Sequence, residues 1–121
     1  MSTVDVARAL YQFWNGFNIP AYPENSVPDD ATLPYITYDM RAPNWSGMSL
    51  YNARVWYRDT SFNTILAKVS EISDEIGEGK RIAVLGGSIF LFKEDLFFQM
   101  MPSEDDAVKM AYLSMVIHVI A

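Results

Sequence analysis

Apolar positions along the chain fall into two helical stripes separated and followed by alternating segments. Near the start, Val6, Leu10, Phe13 and Phe17 recur at spacings of four, three and four. That is the period of one helix face, and it predicts a helix over residues 3–15. Ser2 is placed to cap it and Asp5 suits its positive end. Asn15-Gly16 supplies the stop, because Gly tolerates the left-handed position after a helix. The second stripe, Phe62, Ile65, Leu66, Val69, Ile72 and Ile76, predicts a helix over residues 61–77. Thr60 or Ser61 can cap its start, and Gly77 or Gly79 its end.

Alternation with a period of two marks the strands. Tyr35 to Met40 mixes β-branched and aromatic residues. From Met48 to Arg58 the faces separate: Tyr51, Ala53, Val55 and Tyr57 suit a core, and Asn52, Arg54, Trp56 and Arg58 a wet or partner-facing surface. Arg81 to Leu85 and Ser88 to Lys93 flank Gly86-Gly87 as a hairpin, followed by a short strand from Phe97 to Met101. The last strand runs from Lys109 to Ile120 and is apolar on both faces. Ala111, Leu113, Met115, Ile117 and Val119 share one side; Tyr112, Ser114, Val116, His118 and Ile120 share the other. A doubly apolar strand is covered on both sides, by a helix on one and by a second element or another subunit on the other. Between the first helix and the first strand, Asn18 to Pro34 carries Pro20, Pro23, Pro28 and Pro34, which rules out a regular helix and predicts a stiffened loop. The order α-β-β-α-β-β-β-β predicts an α+β fold, a mostly antiparallel sheet packed with two helices, as a single domain over residues 1–121.

Composition narrows the function classes. Six more acidic than basic charges, a formal net charge of −6, give no clustered cations to neutralise phosphates, so nucleic-acid binding is not expected. There is no cysteine, hence no disulfide, thiolate metal site or cysteine nucleophile. No apolar run approaches the ~20 residues of a membrane helix, and Asp5 and Arg8 interrupt any signal-peptide pattern, so the expected setting is the cytoplasm without a membrane partner. Half of the residues are hydrophobic, which leaves apolar surface for partners or for an ordinary core.

The candidate chemistry is thin. His118 is the single histidine, alternates with apolar residues and has no nucleophile pattern beside it. The acidic pairs Asp29-Asp30 and Asp74-Glu75 and the run Glu104-Asp105-Asp106 lack the ligand spacing of a calcium loop. Gly77-Glu78-Gly79-Lys80 follows a helix and precedes Arg81, the reverse of a phosphate-binding loop. The expectation is a protein that is not an enzyme and has no cofactor, metal or catalytic residue.

Several segments carry a resemblance. Phe17-Asn18-Ile19-Pro20-Ala21-Tyr22, Val27-Pro28-Asp29-Asp30-Ala31 and Leu33-Pro34-Tyr35-Ile36-Thr37-Tyr38 resemble small tail proteins of long-tailed phages and prophages of Gram-positive bacteria. So do Val55-Trp56-Tyr57-Arg58, the helix Ile65 to Gly79, the Gly-Gly hairpin and Lys109-Met110-Ala111-Tyr112-Leu113. The resemblance implies a tail terminator, or tail completion protein. Such a protein is a hexameric ring that caps the tail tube, stops its polymerisation and joins tail to head. The implied partners are further copies of the chain, the major tail-tube protein and a head-completion or neck protein, with DNA passing through without specific binding. The implied location is the head-proximal end of the tail, after assembly in the host cytoplasm. Alternatives are a neck ring or a tail-tube subunit and, more remotely, a small-ligand-binding module or carboxylate-dependent enzyme. Trp and Arg are frequent interface anchors, so the candidate contact residues are Trp45 and Met48, then Arg54, Trp56 and Arg58, then Met100, Met101 and His118.

Overall fold

A computed structural model describes residues 2–40 and 47–120 of the chain. Helix α1 spans Thr3–Trp14 and runs into a 3₁₀ turn, Asn15–Phe17. Strands β1 (Ala21–Pro23), β2 (Tyr35–Tyr38) and β3 (Met48–Arg58) follow, then helix α2 (Asn63–Ile76). Strands β4 (Lys80–Val84), β5 (Gly87–Met101) and β6 (Val108–Ile120) complete the order. The six strands form one sheet in the order β1-β2-β3-β6-β5-β4, antiparallel except for the parallel pair β1–β2. This is the expected α+β class, with two differences in the strands. The proline-rich stretch contributes β1, and residues 88–93 and 97–101 belong to one long strand broken by a bulge.

Local chemistry shapes the helix ends, with one difference from expectation: α2 starts from Phe62, which makes no side-chain capping bond, and not from Thr60 or Ser61. The Ser2 hydroxyl oxygen accepts the Asp5 backbone N–H at 3.1 Å, while its own O–H donates to the Asp5 carboxylate at 2.7 Å. That hydrogen bond holds the Asp5 carboxyl below the usual carboxylate range. At the other end it is Asn18, at φ 66°, that takes the left-handed conformation, after the 3₁₀ turn has consumed Gly16. The Asn15 side chain then clips β1 to the helix, donating to the carbonyls of Tyr11 and Ala21 and accepting the Ala21 N–H at 3.0 Å. Before α2, the Asp59 carboxylate accepts from the Ser61 N–H and the Thr64 hydroxyl, and Ser61 Oγ accepts the Asn63 N–H. At the end of α2, Gly77 adopts φ 56° and ψ −136°, a conformation open to glycine, and donates its N–H to the Ser73 carbonyl. The acidic later turns of α2 are offset by cations from three directions: Lys68 on Glu71, Lys80 on Glu75 and Lys93 on Ser73.

Alternation in β3 and β6 builds the core. Tyr51, Ala53, Val55 and Tyr57 are buried, as are Ala111, Leu113, Met115, Ile117 and Val119, and α1 and α2 both pack on this side. The helices contribute Val6, Leu10 and Trp14, and Ile65, Val69, Ile72 and Ile76. Trp14 stacks on Tyr38 and Tyr51 and donates its indole N–H to the Tyr51 hydroxyl at 3.0 Å. Burial pushes the Tyr51 ionisation far above its usual range, so its hydroxyl remains neutral. β6 is therefore a central strand whose odd-numbered residues from Ala111 to Val119 are sealed on the side of the two helices. Among the described residues no helix is long and apolar enough to cross a membrane.

Candidate interaction surface

Among the described residues, no helix lies on the opposite face of the sheet. Register fixes its membership, because residues directly opposite in antiparallel strands share a face. Met48 lies across from His118, Leu50 from Val116, Asn52 from Ser114, Arg54 from Tyr112, Trp56 from Met110 and Arg58 from Val108. From β5, Phe90 pairs with His118, Phe92 with Val116 and Met101 with Met110. The even-numbered residues of β6 from Val108 to His118 are partly exposed, against the complete burial of their odd-numbered neighbours from Ala111 to Val119. This is the second apolar face of the last strand, and no described part of the chain covers it.

Its two arginines are held by neighbours. The Arg54 guanidinium meets Glu24 at 2.6 Å and sits 5.1 Å over the Tyr112 ring. The Trp56 indole donates to the Thr37 hydroxyl at 3.1 Å and leans on Tyr35, which in turn meets Tyr22 edge-on. Arg58 reaches Asp105 at 3.2 Å. The Asp105 carboxylate also accepts the Ala107 N–H, and these two contacts, the backbone one first, hold its ionisation below the usual range. Phe90 and Phe92 stack with ring centroids 6.3 Å apart.

Of the contact residues named from sequence, Met48, Arg54, Trp56, Arg58, Met101 and His118 share this face. Met100 does not. It pairs with Ala111 and packs against the core on the helix side. Trp45 lies outside the described residues. Arg54 and Arg58 are already engaged within the chain, so their first role is to fix the β1–β2 connection and the loop after β5. Among the exposed apolar residues, sequence reasoning passed over Leu50, 69% exposed, beside Met48 at 61%. Leu50 is legible in the alternation of β3, and Phe90 and Phe92 in that of β5.

Where β5 bulges between Lys93 and Phe98 it parts from β6 and opens a groove of about 360 Å³ on this face. Leu50, Asn52, Tyr112 and Ser114 form one side; Leu96 and the carboxylates of Glu94 and Asp95 form the other. Neither carboxylate has an ion-pair or hydrogen-bond partner among the described residues, and Leu96 is 61% exposed. Among the same residues no group of three or more His, Asp or Glu gathers in metal-binding geometry, and no buried polar side-chain atom lacks a hydrogen bond. The arrangement offers adhesive surface; among the described residues no nucleophile, base and orienting group converge on it.

No protein-family model and no curated protein matches the sequence. Among solved structures the fold matches a chain from the virion of a native gene transfer agent (GTA) particle, with a TM-score of 0.63 over 97% of this chain and 92% of that one, at 15% identity. At that identity the likeness is one of fold, and it extends over nearly the full length of both chains.

Proposed function

We propose that this chain is a structural subunit of a phage-type virion, and within it the tail terminator, a ring that ends the tail tube and faces the head. The observation that carries the reading is the helix-free sheet face, continuous from Met48 and Leu50 across Val116 and His118 to Phe90 and Phe92. A monomer leaves such a face wet, whereas a ring subunit covers it. The fold shared with a chain of a gene transfer agent virion supports the virion setting. The tail-protein resemblance of the Phe17–Tyr38 stretch supports the terminator role. The net charge of −6 suits a conduit that repels DNA and lets it pass.

The test is length control. Tail-tube protein from the same genome is allowed to polymerise with and without the purified chain, and tube lengths are measured by electron microscopy. Addition of the chain halts growth and narrows the length distribution. Tubes that grow unchanged contradict the terminator reading, and long cylinders built by the chain alone make it a tube subunit instead.

A further inference from the structure

We infer that copies of this chain join head-to-tail, the β4 edge and β4–β5 turn of one copy seating in the bulge groove of the next, with Arg81 against Glu94 and Asp95. The inference rests on the ring reading above and gives that ring its contact.

Charge and exposure select the two halves. Of the described cations, Arg8, Arg54, Arg58, Lys68 and Lys80 each have a carboxylate partner. Lys93 is held by Ser73, and Lys109 by the Asp106 carbonyl and the Phe62 ring. Arg81 is exposed on the last strand of the sheet, and among the described residues its guanidinium has only the Ser88 hydroxyl, at 2.9 Å. A few residues on, Leu85 stands at the two-residue turn between Val84 and Gly87, where Gly86 takes φ 87° and Leu85 is 79% exposed. One edge of the molecule thus presents a cation and a bare leucine. The groove presents the complement: two carboxylates without a partner among the described residues, beside exposed Leu50 and Leu96. The outer edge of β4 adds backbone N–H and C=O groups without a strand partner in this sheet.

Knob and groove are different patches on one subunit, so the contact is heterologous. It cannot close as a two-fold dimer. Each added copy leaves one knob and one groove free, and growth ends only where the rotation brings the last to the first, as a ring. Charge reversal on either half should weaken the contact at least roughly tenfold, by placing like charges together.

The experiment uses two variants of the full chain, Arg81→Glu and the double variant Glu94→Lys/Asp95→Lys, each alone and mixed, followed by sedimentation velocity. Each variant alone runs as a single subunit. In the equimolar mixture the acidic knob of the Arg81→Glu variant fits the basic groove of the double variant. The native knob of the double variant fits the native groove of the other, so rings of alternating subunits return. Recovery in the mixture also shows that both variants are folded. Two single-subunit variants that stay apart when mixed overturn the pairing. Rings from each variant alone overturn the contact while leaving the ring reading standing. Rings from each variant that no longer halt tube growth overturn it in favour of the tail-tube protein as the groove's occupant. A wild-type chain that forms no ring, free or on tube ends, removes both the contact and the terminator.

Discussion

Truncating Leu50 to alanine separates the assembly face from the core. The substitution removes three carbon groups, each worth about 0.8 kcal/mol when fully buried. In the free subunit Leu50 is 69% exposed, so about two thirds of that burial is gained only on assembly. The contact between neighbours therefore loses roughly 1.5 kcal/mol, about tenfold in its dissociation constant. Inside the subunit less is lost, about 0.8 kcal/mol for the third of the side chain already buried there. The control is Leu113→Ala on the opposite face of β6, where the side chain is fully buried and truncation costs about 2–5 kcal/mol. Assembly is read by sedimentation across a dilution series. Subunit stability is read by thermal melting in the Arg81→Glu background, so that ring formation does not add to it by mass action. Leu50→Ala should shift the dissociation midpoint and lower the melt by no more than a few degrees; Leu113→Ala should lower the melt severalfold further. A Leu50→Ala chain that melts as early as the Leu113→Ala chain, or rings that withstand dilution as wild type does, would refute the reasoning.

Three further outcomes test the fold that carries this face. Tyr51→Phe strands the buried Trp14 indole N–H, which should cost about 1–3 kcal/mol and several degrees of melting temperature; an unchanged melt would mean that the indole has another partner. Asp5, Asp59 and Asp105 are all held below the ordinary carboxylate range, chiefly by hydrogen bonds to Ser2, Ser61 and Ala107 respectively. Their stabilisation is complete above pH about 4 and is lost as pH falls through the lowered values, so melting temperature should drop on acidification. Asp59→Asn and Asp105→Asn should flatten that slope, and an identical slope in both variants would count against the assignment. Gly77→Ala forces a side chain into a conformation at φ 56° and should destabilise by about 1–3 kcal/mol. At Gly16, where an added Cβ meets nothing within 4 Å, alanine should be neutral or stabilising by up to about 1 kcal/mol; equal melts for the two variants would contradict the strain at Gly77.

Periodicity made the helices, β3, β4 and β6 legible, because each buries one face and leaves the other wet. The inward set of β3, from Tyr51 to Tyr57, follows its alternation with no exception. Where alternation is interrupted, the reading breaks. Residues 94–97 carry two acids and no consistent face, so residues 88–101 look like two strands although the chain continues through a bulge as one. β1 is three residues long, follows Pro20 and ends on Pro23, and is held by the Asn15 side chain and parallel pairing to β2; neither tie lies within its own sequence. The interface candidates show the same division. Residue type alone favoured Trp and Arg, yet Trp56, Arg54 and Arg58 bond to Thr37, Glu24 and Asp105, partners distant in sequence and adjacent only through the sheet. What remains free among the described residues is apolar or acidic: Leu50, Leu96, Glu94 and Asp95. Such residues draw no notice in a sequence, because exposed leucines and solvated acids are ordinary.

The most direct test of the central claim is cryo-electron microscopy of tail tubes incubated with the purified chain. One closed ring is predicted at one end of each tube, its subunits joined by the β4 edge of one copy against the β5 bulge of the next. Bare tube ends beside a chain that remains a single subunit would contradict it.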